Sequence, residues 1–447
     1  MSPERINDYK QIARLGLPIL VGQLGMVATG FADNIMVGRY STEALASASF
    51  VNNLFNCVVF CIIGFTYGIL PLVGALFGGG ERQSGKIGGL MRNALAVNIV
   101  FTVLLTAIMT VVYFNLHRMG QPEELLPYIR PYFLLFLFGL LPISVFNVFA
   151  QWSYGIRNTL MPMWVVLAAN VLNVAGNYLL IYGKFGCPEL GLTGAGIATL
   201  AARLMCAVAI LCVFGFRSSY RPFREGFVSA RLSRDAVKRV WGTSLPVSMQ
   251  MTFESGSFSF AAIVAGWIGT IALASYQVIV ITGTLGFCLY YAVGSAIAVL
   301  VSNEASAGGA APAMRRVAWS GYHVMLFVAS CSTLTFIFFA RYIINVFTSD
   351  AQVLATTLTL IFPLVVYQLG DATQITFANA LRGTSKVMPM LWIAFVSYIV
   401  IGLPATYLMA IPAGGGVYGI VMSFSVSLFT AGALFLVYFL RATRSKA

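Results

Sequence analysis

The chain has 447 residues, of which 59% are hydrophobic and only 9% are charged. Soluble proteins average about 25% charged residues, so this composition excludes an ordinary soluble protein and requires most of the surface to face lipid. The net charge of +13 does not indicate nucleic-acid binding, because the basic residues are scattered through short segments between apolar runs. Residues 1–10 are polar and the first apolar run is too long for a signal peptide, so no cleaved leader is expected.

A helix that crosses a bilayer needs about 20 apolar residues. Read with that window, the sequence predicts an all-α polytopic membrane protein with twelve transmembrane helices. In chain order they cover 11–38, 46–76, 93–116, 128–152, 162–183, 194–216, 239–266, 272–304, 319–347, 354–380, 389–411 and 417–440.

The distribution of Lys and Arg predicts the orientation of these helices. If the N-terminus is cytoplasmic, 21 of the 27 basic residues fall in cytoplasmic segments, five fall outside, and Arg203 lies within the sixth span. Cytoplasmic loops carry the excess of basic residues in membrane proteins. We therefore expect both termini to be cytoplasmic.

The two halves of the chain repeat. Matching residues recur at a constant offset of 228, and a later match, 161–163 with 388–390, keeps an offset of 227. Six spans per half give both halves the same orientation, so an axis along the membrane normal should relate them. The sequence thus predicts an N-terminal lobe at 1–216, a basic cytoplasmic linker at 217–238 and a C-terminal lobe at 239–447. The matches at offset 228 are Pro18 with Pro246, Gly38 with Gly266, 44–47 with 272–275, Val73 with Val301, and Gly80 with Gly308.

Three of the fourteen acidic residues fall well inside predicted spans: Asp33, Glu254 and Asp371. A carboxylate inside the bilayer costs several kcal/mol unless it faces a cavity or a partner. No Lys or Arg lies at a similar depth near these acids in sequence, and they are candidates for cation or proton sites. The alternative is a structural, hydrogen-bonded acid. The acids do not follow the repeat, which suggests different chemistry in the two halves.

Neutral polar residues accompany each acid. In the fifth span Asn170, Asn173 and Asn177 share one helical face, and Thr199 follows in the sixth span. Together with Asp33 they would offer oxygen ligands to a hard cation, although Asn also joins helices by hydrogen bonds in membranes.

In the tenth span one face carries Tyr367, Asp371 and Gln374, and Glu254 could complete that cluster. Sodium needs several oxygen ligands, whereas a proton needs only an acid of suitable pKa. The neutral oxygens therefore favour sodium over a proton as the coupling ion.

The sequence gives no sign of catalysis. It contains two His residues and no GxSxG, HExxH or Walker A pattern, so we expect neither an enzyme nor an ATP-driven pump. The seven Cys residues form no CxxC pair, so neither a disulfide nor a transition-metal site is expected. Arg203 is the one basic residue well inside a span, where it could reach the interface or neutralise an acid.

Several stretches together resemble the multidrug and toxic compound extrusion (MATE) family. They are GLPILVGQ and FADNIMVGRYS in the first span, GALFGGGERQ after the second, NVLNVAGNYLLIYGKFGCPELGLTGAGIAT in the fifth and sixth, FESGSFS in the seventh and YQLGDATQITFANALRG in the tenth. The resemblance covers nearly the whole chain. It looks closest to the NorM-like branch, which pairs a Glu in the seventh span with an Asp in the tenth.

The resemblance implies two six-helix bundles that form a V around a central cavity, and cation-coupled export of organic, often cationic, drugs. It implies an N-lobe cation site at Asp33, Asn173, Asn177 and Thr199 and a C-lobe cation site at Glu254, Tyr367 and Asp371. One branch of the family has an acid in the fifth span where this chain has Asn177. A substrate cavity is expected to include Gln23, Asn147 and Gln374.

The expected protein is therefore a monomeric antiporter of a bacterial cytoplasmic membrane that exports small organic molecules and uses Na⁺ or H⁺ without another cofactor. Its expected partners are substrate, coupling cation and membrane lipid, with no nucleic acid. The alternative is a lipid-linked oligosaccharide flippase of the same superfamily. Such flippases tend to carry a basic cavity, whereas the acids inside these spans favour a cationic cargo.

Overall fold

The computed structural model describes residues 3–80, 83–119, 122–305, 311–348 and 350–444. Within these ranges the chain is helical and contains no β-strand. The α-helices in chain order are α1 Pro3–Tyr40, α2 Thr42–Tyr67, α3 Ile69–Gly78, α4 Ser84–Phe114, α5 Leu126–Phe138, α6 Leu140–Gly155, α7 Leu160–Tyr182, α8 Gly191–Phe216, α9 Arg221–Ser229, α10 Arg234–Ile268, α11 Thr270–Glu304, α12 Ala311–Phe347, α13 Ala351–Thr359, α14 Ile361–Gly383, α15 Met388–Ala394, α16 Leu403–Ala410 and α17 Gly416–Ala442. A π-helical segment, Phe395–Gly402, joins α15 to α16.

Ten helical segments in the described ranges are long and apolar enough to cross a membrane, and α13 with α14, bent by 47°, gives an eleventh. The remaining predicted span, 239–266, lies on α10, which has 35 residues but a more polar composition that includes Glu254. The all-α polytopic membrane fold is therefore confirmed, while the count of twelve spans stays a prediction.

The sequence repeat is visible in the helix boundaries. Helix α1 ends at Tyr40 and α10 ends at Ile268, and the following helices begin at Thr42 and Thr270. Both pairs keep the same offset as the matched residues in the sequence. In the first copy the Ser41 side chain accepts a hydrogen bond of 2.9 Å from the Ala44 backbone and caps α2.

Three residues used in the sequence predictions lie outside the described residues. They are Gly308, which the repeat matches with Gly80, and the basic residues Arg82 and Lys446.

The helices form two compact units, 21–244 and 1–20 with 245–447. The first twenty residues therefore group with the C-terminal half, and the start of α10 groups with the N-terminal half. The predicted lobes at 1–216 and 239–447 follow the sequence repeat, and this division of the chain stays a prediction.

Within unit 21–244, the basic linker is ordered as a short helix, α9, that lies against α4. Gly88 permits this contact, because a Cβ there would lie 2.6 Å from the backbone nitrogen of Phe227. Arg92 donates hydrogen bonds to the carbonyls of Val228 (2.8 Å) and Ala230 (2.6 Å). The linker is thus fixed to the bundle by backbone contact and by a charged donor.

Within the other unit, ion pairs attach the start of α1 to α12. The Arg316 guanidinium lies 2.5 Å from a Glu4 carboxylate oxygen and 3.0 Å from Asp8. Asp8 is buried, whereas the Glu4 side chain is 67% exposed. Ser320 also donates to Asp8 at 3.4 Å. A buried carboxylate needs such partners because desolvation penalises an isolated charge.

Candidate functional site

The structure brings the four N-lobe residues into one hydrogen-bonded chain. Asn173 and Asn177 are one turn apart on α7 and therefore lie on the same face of the helix, and both are buried. Asn177 donates to the Asp33 carboxylate on α1, and also to the Asn173 side-chain oxygen at 3.3 Å. Asn173 in turn donates to the Thr199 hydroxyl on α8 at 3.2 Å. Three helices thus present the cluster predicted from sequence.

An acceptor remains free at the centre of this cluster. The side-chain oxygen of Asn177 is buried and has no hydrogen-bond partner among the described residues. Buried polar atoms are nearly always paired, so an unpaired oxygen beside a carboxylate is available to a ligand that accepts electron pairs. Asp33 itself is only partly buried.

A basic residue joins this cluster, in line with one of the two alternatives that the sequence left open for Arg203. Arg203 of α8 interacts electrostatically with both Asp33 and Tyr132. Its guanidinium carbon also lies 4.5 Å from the centre of the Phe136 ring. Arg203 is distant from Asp33 in sequence, so only the packing of α1 and α8 in the bundle brings the two residues into one cluster.

The C-lobe cluster is organised around Glu254 of α10. Gln250, one turn earlier, donates to the Glu254 carboxylate at 2.7 Å, and Gln374 of α14 is a second hydrogen-bonding partner. Asp371 of α14 is buried and interacts electrostatically with Glu254. Tyr398, in the π-helical segment, faces both acids. The structure therefore places the two acids in one cluster, in which Glu254 has two amide partners.

Unpaired oxygens also occur in this cluster. The side-chain oxygens of Gln250 and Gln374 and the Tyr398 hydroxyl are buried and lack hydrogen-bond partners among the described residues. Tyr367 lies near Asp371, and the absence of a side chain at Gly283 leaves space for its hydroxyl. The cluster combines carboxylates with neutral oxygens, the ligands that a hard monovalent cation uses.

A second hydrogen-bonded group lies beside Asp371. Tyr290 of α11 interacts electrostatically with Asp371 and donates to the side-chain oxygen of Gln368. Ser332 of α12 bonds Tyr290 at 2.8 Å and Gln368 at 3.2 Å. Sequence reasoning missed these residues, since Tyr and Ser are common in apolar spans and only the packing of three helices unites them.

The C-lobe also contains a basic partner for an acid. Arg382, in the last turn of α14, is buried and interacts electrostatically with Glu254. Helix α14 continues to Gly383, so Arg382 is part of the same helix as Asp371 and Gln374.

The three residues predicted for a substrate cavity have different surroundings. Asn147 is partly buried and donates to the Ile143 carbonyl of its own helix at 2.9 Å. Gln374 is buried and belongs to the Glu254 cluster. Gln23 is partly buried on α1. Their shared role in substrate binding stays a prediction.

The fold and these clusters define an integral membrane protein of the transporter class, with buried or partly buried acids inside otherwise apolar helices. The MatE family model matches residues 18–179 and 246–408, and the two segments begin at Pro18 and Pro246, which the repeat pairs. The chain belongs to the MATE family of multidrug efflux transporters, which are not enzymes. The NorM-like resemblance is confirmed by a relative described as a probable multidrug resistance protein NorM from Geobacillus kaustophilus, 29% identical over 98% of this chain and 95% of its own length.

Solved structures show the same fold. A mutant of the Vibrio cholerae MATE transporter VcmN gives a TM-score of 0.88 at 17% identity and covers 100% of this chain and 99% of its own. A transporter from Pyrococcus furiosus, described as having a binding pocket of reverse polarity that suggests a different function, gives 0.84 at 17% identity over 98% and 96%.

Proposed function

We propose that this protein is a cation-coupled antiporter that exports organic, often cationic, drugs from the cytoplasm of a bacterial cell by alternating access. The observation that carries the proposal is the repeated pairing of a carboxylate with unpaired amide oxygens. Asp33 lies beside the free oxygen of Asn177, and Glu254 lies beside those of Gln250 and Gln374. Each unit thus contains a separate candidate cation site.

Sodium is the coupling ion that these ligands favour. A protonated carboxyl group is itself a hydrogen-bond donor and needs one acceptor, whereas sodium needs several oxygens around it. Both clusters supply more neutral oxygens than a single proton would use. Because a ligand shifts a conformational equilibrium only by binding one state better, sodium and drug would drive transport by favouring different states.

The relatives and the charges support a cationic drug as cargo. The Geobacillus kaustophilus relative is described as a probable multidrug resistance protein. In the present chain three acids, Asp33, Glu254 and Asp371, occur with two buried or partly buried arginines, Arg203 and Arg382. The acids therefore exceed the basic residues in these clusters, which disfavours the alternative of a flippase for anionic lipid-linked oligosaccharides.

Ethidium accumulation in bacterial cells tests the proposal. Cells that express the wild-type chain should accumulate less dye than empty cells, and removal of external sodium should abolish the difference. The double variant Glu254→Gln/Asp371→Asn should accumulate dye like empty cells. Glu225→Gln is the matched control, because Glu225 forms only an exposed ion pair with Arg221. Normal export by the double variant, at equal expression, would contradict the proposed role of these acids.

A further inference from the structure

The Arg203 guanidinium beside the N-lobe cluster is held by an aromatic ring and by the space that a glycine leaves. The guanidinium lies over Phe136 at 4.5 Å, a geometry in which an aromatic ring attracts a cation. Gly139, which separates α5 from α6, provides the space, because a Cβ there would lie 2.5 Å from Nη1 and 3.0 Å from Cδ. The neighbouring Tyr132 is buried and packs on Phe136 with ring centres 4.8 Å apart.

The guanidinium is held in place but not fully paired. Nη1 is buried and has no hydrogen-bond partner in the part of the chain that the structure describes. Arg203 stands one turn after Thr199 on α8, and hydrogen bonds link Thr199 through Asn173 and Asn177 to Asp33, so the guanidinium belongs to the Asp33 cluster. At the offset of 227 found for residues 161–163, Arg203 matches Thr430 in the second half, so this cation belongs to one half only. Arg203 thus has space for its guanidinium, an aromatic ring against it and a carboxylate in the same cluster. This arrangement suits a cation that neutralises the carboxylate.

We propose that Arg203 is a resident counter-cation of Asp33 that competes electrostatically with the coupling cation and makes the N-lobe cluster a weak, readily emptied cation site. The proposal rests on the cation coupling proposed above and adds a positioning residue to it. Arg203 stabilises the Asp33 carboxylate when no cation is bound, and it repels a cation that approaches the oxygens of Asp33 and Asn177. Cation release from this unit is favoured as a result.

The first test is chemical rescue of the full-length protein in detergent. Arg203→Ala removes the guanidinium and leaves its space between Phe136 and Gly139. Guanidinium ion at millimolar concentration should raise the melting temperature of Arg203→Ala, because it binds only the folded state, and should not raise that of the wild type. The double variant Arg203→Ala/Asp33→Asn should not respond. Equal stabilisation of the single and the double variant would show that guanidinium binding does not depend on the Asp33 carboxylate, and it would overturn the proposal.

The second test measures sodium binding directly, in a Glu254→Gln/Asp371→Asn background that leaves only the N-lobe cluster. Arg203→Gln should lower the sodium concentration at half-maximal stabilisation about tenfold, because it removes a like charge that repels the cation in a medium of low effective dielectric constant. Arg203→Lys keeps the charge and should leave the midpoint within about threefold. An unchanged midpoint in Arg203→Gln would overturn the proposal.

The two tests separate this proposal from the proposed function. If sodium stabilises none of the proteins, wild type included, sodium coupling is refuted. The response to guanidinium then still decides whether Arg203 is the counter-cation of Asp33, because that measurement requires neither sodium nor transport. If Arg203→Ala does not fold, Arg203→Gln, which keeps most of the side-chain volume, is tested for rescue by the same ion with the same two outcomes.

Discussion

Replacement of Gln250 by Leu tests the C-lobe cation site at a single neutral residue. The change removes the 2.7 Å hydrogen bond to the Glu254 carboxylate and one buried oxygen that has no partner among the described residues. Gln250 is 3% exposed, so water cannot readily replace either group. The unpaired Gln250 oxygen is the candidate sodium ligand, and one interaction between a neutral polar group and a charge contributes about 1.5–3 kcal/mol, while about 1.4 kcal/mol corresponds to a tenfold change in affinity. We expect sodium affinity to fall about 10- to 100-fold.

The assay is the melting temperature of the purified protein as a function of sodium, in an Asp33→Asn background that leaves the C-lobe site alone. Thr252→Val is the matched control on α10, since the Thr252 hydroxyl bonds the Ser248 carbonyl of its own helix at 2.8 Å. It should leave the sodium midpoint unchanged. The reasoning is refuted if Gln250→Leu binds sodium like its parent while Glu254→Gln does not bind it.

Two further predictions concern stability. Arg316→Ala should destabilise the folded protein by about 3–5 kcal/mol, because it leaves buried Asp8 without its charged partner. Glu4→Gln, at the exposed pair, should cost less than about 1 kcal/mol, and equal losses in thermal unfolding would contradict this account. Gly88→Ala should release α9 from α4 and make the basic linker sensitive to limited proteolysis. Gly85→Ala on the same helix has open space around its Cβ and should leave the cleavage pattern unchanged.

The sequence predicted the fold and the acids because both produce local signals. Apolar runs identified the helices and a constant offset between matched residues identified the repeat, and the structure shows the same offset in the ends of α1 and α10. Asp33 and Glu254 stood out because a carboxylate is rare in an apolar helix. Gln250 could also have been found, since it precedes Glu254 by one helical turn.

The partners of the acids could not be predicted from the sequence alone. Arg203 and Arg382 meet their acids through contacts between helices that are distant along the chain. Tyr398 interacts with the acids from a π-helical segment. Such a local widening of a helix frequently marks a functional site, but it produces no periodic pattern of residues that could be recognised in the sequence. The acids are thus isolated in sequence although the structure surrounds them with charged and polar groups.

The most direct test of cation coupling is drug efflux from proteoliposomes that have a sodium gradient but no pH gradient and no membrane potential. The proposed mechanism predicts efflux that follows the sodium gradient and is lost in Glu254→Gln/Asp371→Asn. It also predicts no efflux when a pH gradient is imposed without sodium. Efflux that ignores sodium and follows the pH gradient would instead make the protein a proton antiporter and contradict the assignment of the oxygen clusters to sodium.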